Sequence, residues 1–267
     1  MNLNQYIENV RNSSPLVHHI TNYVTVNDCA NACLAIGASP VMADAIDEVA
    51  DMVAISQALV LNIGTLNVTK VESMISSGRK ANELGIPVIF DPVGCGATPF
   101  RNRMAKELMD NIHMSVIRGN ISEILSLGGE NVKTKGVDAG DGDQKAAVSV
   151  AKELAKTWNA VVVISGATDI VTDGKTVIFI TNGCPEMSAI TGSGCMCTSL
   201  IGAFCGANKE HILEASAAAM MVMGIAGERA WLSYKAQGLG HFHMGILDEL
   251  GKMNGETLEK ESRYEIH

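Results

Sequence analysis

The chain has 267 residues, of which 20 are Lys or Arg and 29 are Asp or Glu, for a formal net charge of -9. Its length and its 47% hydrophobic content exclude a disordered chain and a disulfide-stapled miniprotein, and suit one large domain with a sizeable core. The acid excess, without a clustered Lys/Arg face to neutralise phosphates, excludes a nucleic-acid groove and points to a small ligand.

In chain order, residues 1–14 (MNLNQYIENVRNSS) are a polar Asn/Glu mixture without an apolar run, so no secretory leader is expected there. Short apolar runs at 16–20, 39–42, 58–63, 86–90, 114–118 and 160–165 have strand length. They are continuous rather than alternating, which predicts burial on both faces: a mostly parallel sheet between helix layers, an α/β fold. Between them, 68–84 predicts a helix with Val71, Met74, Ile75, Gly78 and Ala81 on one face, stopped by Gly85 and Pro87. Residues 138–143 (DAGDGD) lack the distal Glu of a calcium loop and predict a Gly/Asp loop. Residues 143–157 predict a helix capped by Asp143. IVTDGKTVIFI reads as an antiparallel hairpin around Asp173 and Gly174 at one sheet edge. Residues 211–232, apolar nearly all round, predict a helix in the core or at a subunit contact, and 215–226 fall short of the roughly 20 residues that span a bilayer. The charged tail 255–267 is expected to be solvated. No repeat or linker divides the chain, so 1–267 is expected to be a single domain. Seven cysteines without a C-x-x-C pair suit free thiols in a reducing cytoplasm, and Cys29 with Cys33 reads as the buried face of a helix.

In a parallel sheet the ligand crevice lies beyond the carboxyl ends of the strands, so the residues there are the candidates. They are Asn22, Met42 with Asp44, Gly64 with Thr65, Asp91, Arg118 with Glu123, and Ser165 with Gly166, after the first to sixth strands. Thr191-Gly192-Ser193-Gly194-Cys195 opens a further helical run, and free N–H groups there predict an anion hole. Asp91 and Glu123 facing such a hole suit a magnesium ion on polyphosphate oxygens, with Arg118 clamping phosphate. Local alternatives stand beside this: Asp91 as a turn former, Glu123 as a capping-box residue behind Asn120 or Ser122. Cys195 at a helix N-terminus, where the dipole lowers a thiol pKa, reads as a nucleophile, a weak base or a small buried residue. Met42 suits packing on a flat ligand or filling the core. His18, His19, His241 and His243 lack carboxylates at ligand spacing and read as core or surface residues.

Taken together, HHITNYVTVNDCANACLAIGASPVMADA, LNIGTL, FDPVGCGAT, VIRGNISEI, SGATDIVTDG and ITGSGC resemble the hydroxyethylthiazole kinase family, in that family's order. The resemblance implies a ribokinase-like fold and a cytoplasmic homotrimer with active sites at subunit contacts. Its reaction would be ATP-dependent phosphorylation of the primary hydroxyl of 5-(2-hydroxyethyl)-4-methylthiazole, salvaging the thiazole half of thiamine. It further implies that Arg118, Ser165 and Gly194 bind ATP, that Met42 and Gly192 contact the thiazole, and that Asn22, Gly64 and Thr65 line the pocket. Asp91 and Glu123 would hold magnesium. Cys195 stands where many ribokinase-like enzymes place an aspartate base, and Asp44 where a histidine is common. Two rival functions remain: a hydrolase or acyl transferase with Cys195 as covalent nucleophile, and a nucleotide or thiazole sensor without turnover.

Overall fold

Alternate residues of each strand go to opposite sides of one sheet in the computed structural model of the chain, which describes residues 1–129 and 144–267. Leu59, Leu61 and Phe90 join one apolar layer, whereas Val60, Ile89 and Val116 join the other. Two buried faces explain why the strands read as unbroken apolar runs.

Six strands, β1 (Leu16–Ile20), β2 (Ser39–Met42), β3 (Ala58–Asn62), β4 (Val88–Asp91), β5 (Val116–Asn120) and β6 (Val161–Ser165), pair in parallel in the order β2-β1-β3-β4-β5-β6. All fall within two residues of the predicted runs. Helices α1 (Leu3–Ser13) and α2 (Val26–Ile36) pack on one face, and α3 (Val49–Ala54), α4 (Val68–Leu84), α5 (Pro99–Asn111), α6 (Ile121–Gly128) and α7 (Gln144–Trp158) on the other. The first face is completed by α8 (Ser193–Ala207), α9 (Ile212–Tyr234), α10 (Leu239–Lys252) and α11 (Gly255–Glu261).

Local signals act as predicted in α4. Asn67 accepts from Lys70 N at 2.9 Å at its start, and Gly85 at φ +65° lets Ile86 N close back on Ala81 O at 2.9 Å. Helix α7 begins at Gln144; its proposed Asp143 cap and the loop 138–143 lie outside the described residues. Every residue of α9 from Ala215 to Gly227 is buried, enclosed by α8 and α10 of the same chain, which settles that helix into the core.

The hairpin β7 (Asp169–Thr172) and β8 (Val177–Ile180) forms around Asp173, whose Oδ1 accepts from Lys175 N and Thr176 N at 2.8 Å, with Gly174 at φ +89°. It is not the last pair of the sheet. The tail expected to be solvated folds as α11 and as β9 (Tyr264–Ile266), which pairs antiparallel with β8 and closes the edge β8 would leave open. The polar N-terminal stretch is likewise a helix, α1, that buries Leu3, Ile7 and Val10. Among the described residues no helix is long and apolar enough to cross a membrane.

Candidate active site

In the order β2-β1-β3 the chain leaves β1 for α2 on one face and β3 for α4 on the other, so a crevice opens beyond their carboxyl ends. A cleft of about 370 Å³ lies there, lined by Asn22, Gly64, Thr65, Asp91, Arg118, Glu123, Ser165, Gly192, Gly194 and Cys195. Of the candidates read after the six strands, Met42, Asp44 and Gly166 do not line it. A second cleft, of about 510 Å³, shares Arg118, Ser165 and Gly194 with the first and runs on to Asp169, Met187, Met220 and Met223. The shared residues are the three that the family resemblance assigns to ATP.

Asp91, the last residue of β4, is fully buried. Its Oδ2 accepts from Thr198 Oγ1 at 2.8 Å and Asn62 Nδ2 at 2.9 Å, while Oδ1 is buried without a hydrogen-bond partner. Burial raises this carboxyl to about 6 against the opposing pull of Arg118. Glu123 sits in the first turn of α6 and forms the capping box: its Oε2 accepts from Asn120 N and the Asn120 side chain accepts from Glu123 N, both at 2.9 Å. The local reading of Glu123 is thus present in the structure, and the same carboxylate also faces the cleft and accepts from Gly94 N at 2.9 Å. Arg118 on β5 donates from Nη2 to Ser165 Oγ at 3.0 Å, and its Nε is buried without a partner.

Helix α8 begins after Gly192, which sits at φ +90° with no side-chain cap, so the first-turn N–H groups are left for a ligand. A Cβ on Gly194 would stand 2.6 Å from Arg118 Nη1; only glycine lets the guanidinium lie against this helix start. Cys195 follows, with its sulfur 3.3 Å from Asn62 Nδ2 and 3.4 Å from Asn22 Nδ2. The predicted lowering of its pKa by the helix dipole is overturned: burial first, then the charge of Asp91, push this thiol above its ordinary value. His19 offers it no general base. Burial lowers that imidazole to about 4, and its nitrogens meet Ser199 Oγ at 3.1 Å and Val17 O at 3.0 Å.

Met42 ends the edge strand β2 and does not line the cleft of its own chain. Beyond it, Asp44 lies 3.5 Å from Lys70 Nζ, which donates to Thr21 O at 2.9 Å. Cys29 and Cys33 are buried thiols, as predicted. Four residues of the site escaped the sequence reading. Asn62 and Thr198 hold Asp91; Asp169 lines the second cleft, with burial raising it to about 6; and Arg101 binds the carbonyls of Ile63, Val93 and Gly64 at 2.6 to 2.8 Å, joining two loops of the site. Asn62 carried a legible signal, as a polar residue closing an apolar strand whose register partner is Asp91. Arg101 carried none, since nothing local distinguishes it from a surface arginine.

A family model described as the hydroxyethylthiazole kinase family matches residues 7–256. A hydroxyethylthiazole kinase of Ruminiclostridium cellulolyticum is 50% identical over 98% of this chain and 96% of its own. One of Clostridium beijerinckii is 52% identical over 95% and 93%. Among solved structures, a hydroxyethylthiazole kinase protein from Pyrococcus horikoshii OT3 matches with a TM-score of 0.90 and 36% identity, covering 99% of this chain and 98% of that one. A ribokinase-like superfamily protein from Enterococcus faecalis V583, with a TM-score of 0.67 at 14% identity over 96% of this chain and 89% of that one, shares the fold alone. On the family match and the near full-length relatives together, the chain belongs to the hydroxyethylthiazole kinase family.

Proposed function

We propose that the protein is an ATP-dependent kinase of 5-(2-hydroxyethyl)-4-methylthiazole, working as one domain over 1–267 in thiamine salvage. The observation that carries this reading is the pair of joined clefts, whose junction is Arg118, Ser165 and Gly194. The thiazole alcohol occupies the polar cleft between Asn22, Gly64, Thr65 and Gly192, and the nucleoside the thioether-lined one, so that the phosphate chain crosses the junction. There the N–H groups opening α8 and the guanidinium of Arg118 oppose the negative charge of the transferring group. The alcohol oxygen attacks the γ-phosphorus in line, the bond to the β-phosphate oxygen breaks, and ADP leaves. Cys195 orients the hydroxyl, and its thiolate, a minor form because burial and the charge of Asp91 favour the thiol, takes the hydroxyl proton as the new O–P bond forms.

Magnesium fits the donor set. Asp91 Oδ1 is a buried hard oxygen without a partner, and Glu123 presents a second carboxylate to the same cleft. Two carboxylates plus phosphate oxygens are a usual magnesium environment, so Asp91 and Glu123 would hold the ion. When bound it offsets charge on the phosphate oxygens. Among the described residues no group of three or more His, Cys, Asp or Glu gathers as a metal site.

We further infer a cytoplasmic homotrimer with its sites at subunit contacts. Seven free thiols suit a reducing compartment. The position of Met42 outside its own cleft suits delivery of that side chain to another copy. Purified protein with Mg-ATP and the thiazole alcohol should form ADP and the thiazole phosphate in equal amounts by 31P NMR. No ADP above background would replace this reading with the sensor.

A further inference from the structure

Asn62 uses every hydrogen bond its side chain can make. It ends β3, is 1% exposed, donates from Nδ2 to Asp91 Oδ2 at 2.9 Å and to Cys195 Sγ at 3.3 Å, and accepts at Oδ1 from Gly64 N at 2.9 Å and Asn22 Nδ2 at 3.0 Å. Its orientation is fixed by chemistry. The Gly64 N–H only donates, so Oδ1 must face it, which leaves Nδ2 toward the sulfur and the carboxylate. Asn22 is fixed in the same manner, because its Oδ1 accepts from Thr25 N at 3.0 Å and its Nδ2 therefore turns to Asn62 and, at 3.4 Å, to Cys195 Sγ. Two amide donors from different strand ends thus converge on one sulfur.

We propose that Asn62 and Asn22 form a donor cradle that holds the Cys195 sulfur as a hydrogen-bond acceptor, and that Asn62 is the positioning residue separating this sulfur from Asp91. The inference rests on the kinase reading above. A sulfur that receives the hydroxyl proton carries negative charge beforehand, and a buried carboxylate beside it opposes that charge. The Asn62 amide stands between the two and gives one hydrogen to each, while Asn22 adds a second donor to the sulfur alone. As the hydroxyl proton moves to the sulfur, the thiolate becomes a thiol, the O–P bond forms, the bond from phosphorus to the departing ADP oxygen breaks, and both amides stay in place.

Asn62→Asp tests the cradle, because it keeps the shape and the acceptor for Gly64 N and removes both donors. The cradle predicts that kcat falls on the order of 100-fold with KM for either substrate within about threefold. In a Cys195→Ala background the same substitution should lower the residual rate by no more than about tenfold, because the part of its effect that runs through the sulfur is gone and only the donor lost to Asp91 remains. Alkylation of Cys195 by iodoacetamide, followed by peptide mass spectrometry in the absence of substrates, should slow about tenfold. Equal losses in both backgrounds, or unchanged alkylation, would overturn the proposal and leave Asn62 as a staple between β3 and β4. Should Asn62→Asp not fold, Asn22→Asp carries the same test: it keeps the acceptor for Thr25 N, removes one donor and leaves Asp91 untouched. If the unaltered protein made no thiazole phosphate, the kinase reading would fail, while the alkylation rates would still decide on the cradle.

Discussion

Asp169 is a buried acid that shares its cleft with Arg118, and burial outweighs that arginine and the Gly166 N–H in lifting its carboxyl to about 6. The fold therefore keeps this proton up to a higher pH than the unfolded chain does. Stability falls as pH rises from the ordinary carboxylate range through about 6, and the penalty stays in place above it. Asp169→Asn keeps an acceptor for Gly166 N and removes the charge. It should raise unfolding stability by about 2 to 3 kcal/mol at pH 8, and by nothing near pH 3. Denaturant titrations across that range check this, and a pH-independent difference would refute it. Cys195 calls for a kinetic test. Cys195→Ser keeps an acceptor in the cleft but a poorer base, so phosphoryl transfer should fall on the order of 100-fold and persist. Total loss, with a covalent adduct trapped on the unaltered protein, would favour the thiol-enzyme rival. At this scale the sequence pointed to cleft-lining residues at or just beyond the strand ends, Asn22, Gly64, Asp91 and Arg118, because the position of a ligand crevice is set by topology. It did not reveal Thr198 or Arg101, whose roles depend on which helix face or loop carbonyl meets them in space. Nor did it reveal the raised pKa of Cys195, since the dipole of a helix is local and its burial beside Asp91 is not.

Helix α8 joins the site to the core, and two of its glycines separate these duties. A Cβ on Gly202 would lie 2.6 Å from Val60 Cγ2 and 3.1 Å from Val17 Cγ1, atoms of stiff β-branched side chains in the sheet. Gly202→Ala should therefore cost about 1 to 3 kcal/mol of stability through overpacking, read as a lower Tm. At Gly194 the clashing atom is the flexible end of Arg118, and alanine favours a helix by about 1 kcal/mol. Gly194→Ala should leave Tm unchanged or raised and increase KM for ATP about tenfold, because it displaces the guanidinium from the junction. Similar losses of Tm in both variants would mean that α8 acts as one rigid packing unit. Elements such as α8 and the parallel strands were legible because burial on all sides writes unbroken apolar runs. The shorter pieces were not: α1 spaces Leu3, Ile7 and Val10 at helical intervals among polar residues, and β9 has only three residues, Tyr264 to Ile266. Both depend on a partner, α1 on the core beneath it and β9 on the open edge of β8.

At the scale of the whole molecule, β2 is an edge strand with no fully buried residue, and the apolar side chains near that edge are left to solvent in a single chain. Tyr23 is 75% exposed and Val24 59%, and Val24 also lines the first cleft. In the parallel register Met42 pairs with His19, so Met42 and the Tyr23–Val24 turn leave the sheet at the same end. An apolar rim beside the cleft mouth, on a chain whose net charge of -9 disfavours self-association, suits burial against another copy. If Met42 then packs on the thiazole in a neighbour's cleft, each site draws on two subunits, and complementation follows. Met42→Asp and Arg118→Ala should each be nearly inactive alone. Refolded together in equal amounts they should regain up to about a quarter of full activity, because that share of sites would pair an intact Met42 with an intact Arg118. Sedimentation should show three 28.2 kDa chains in the active species. Mixed oligomers without regained activity would show that each cleft works with the residues of its own chain alone.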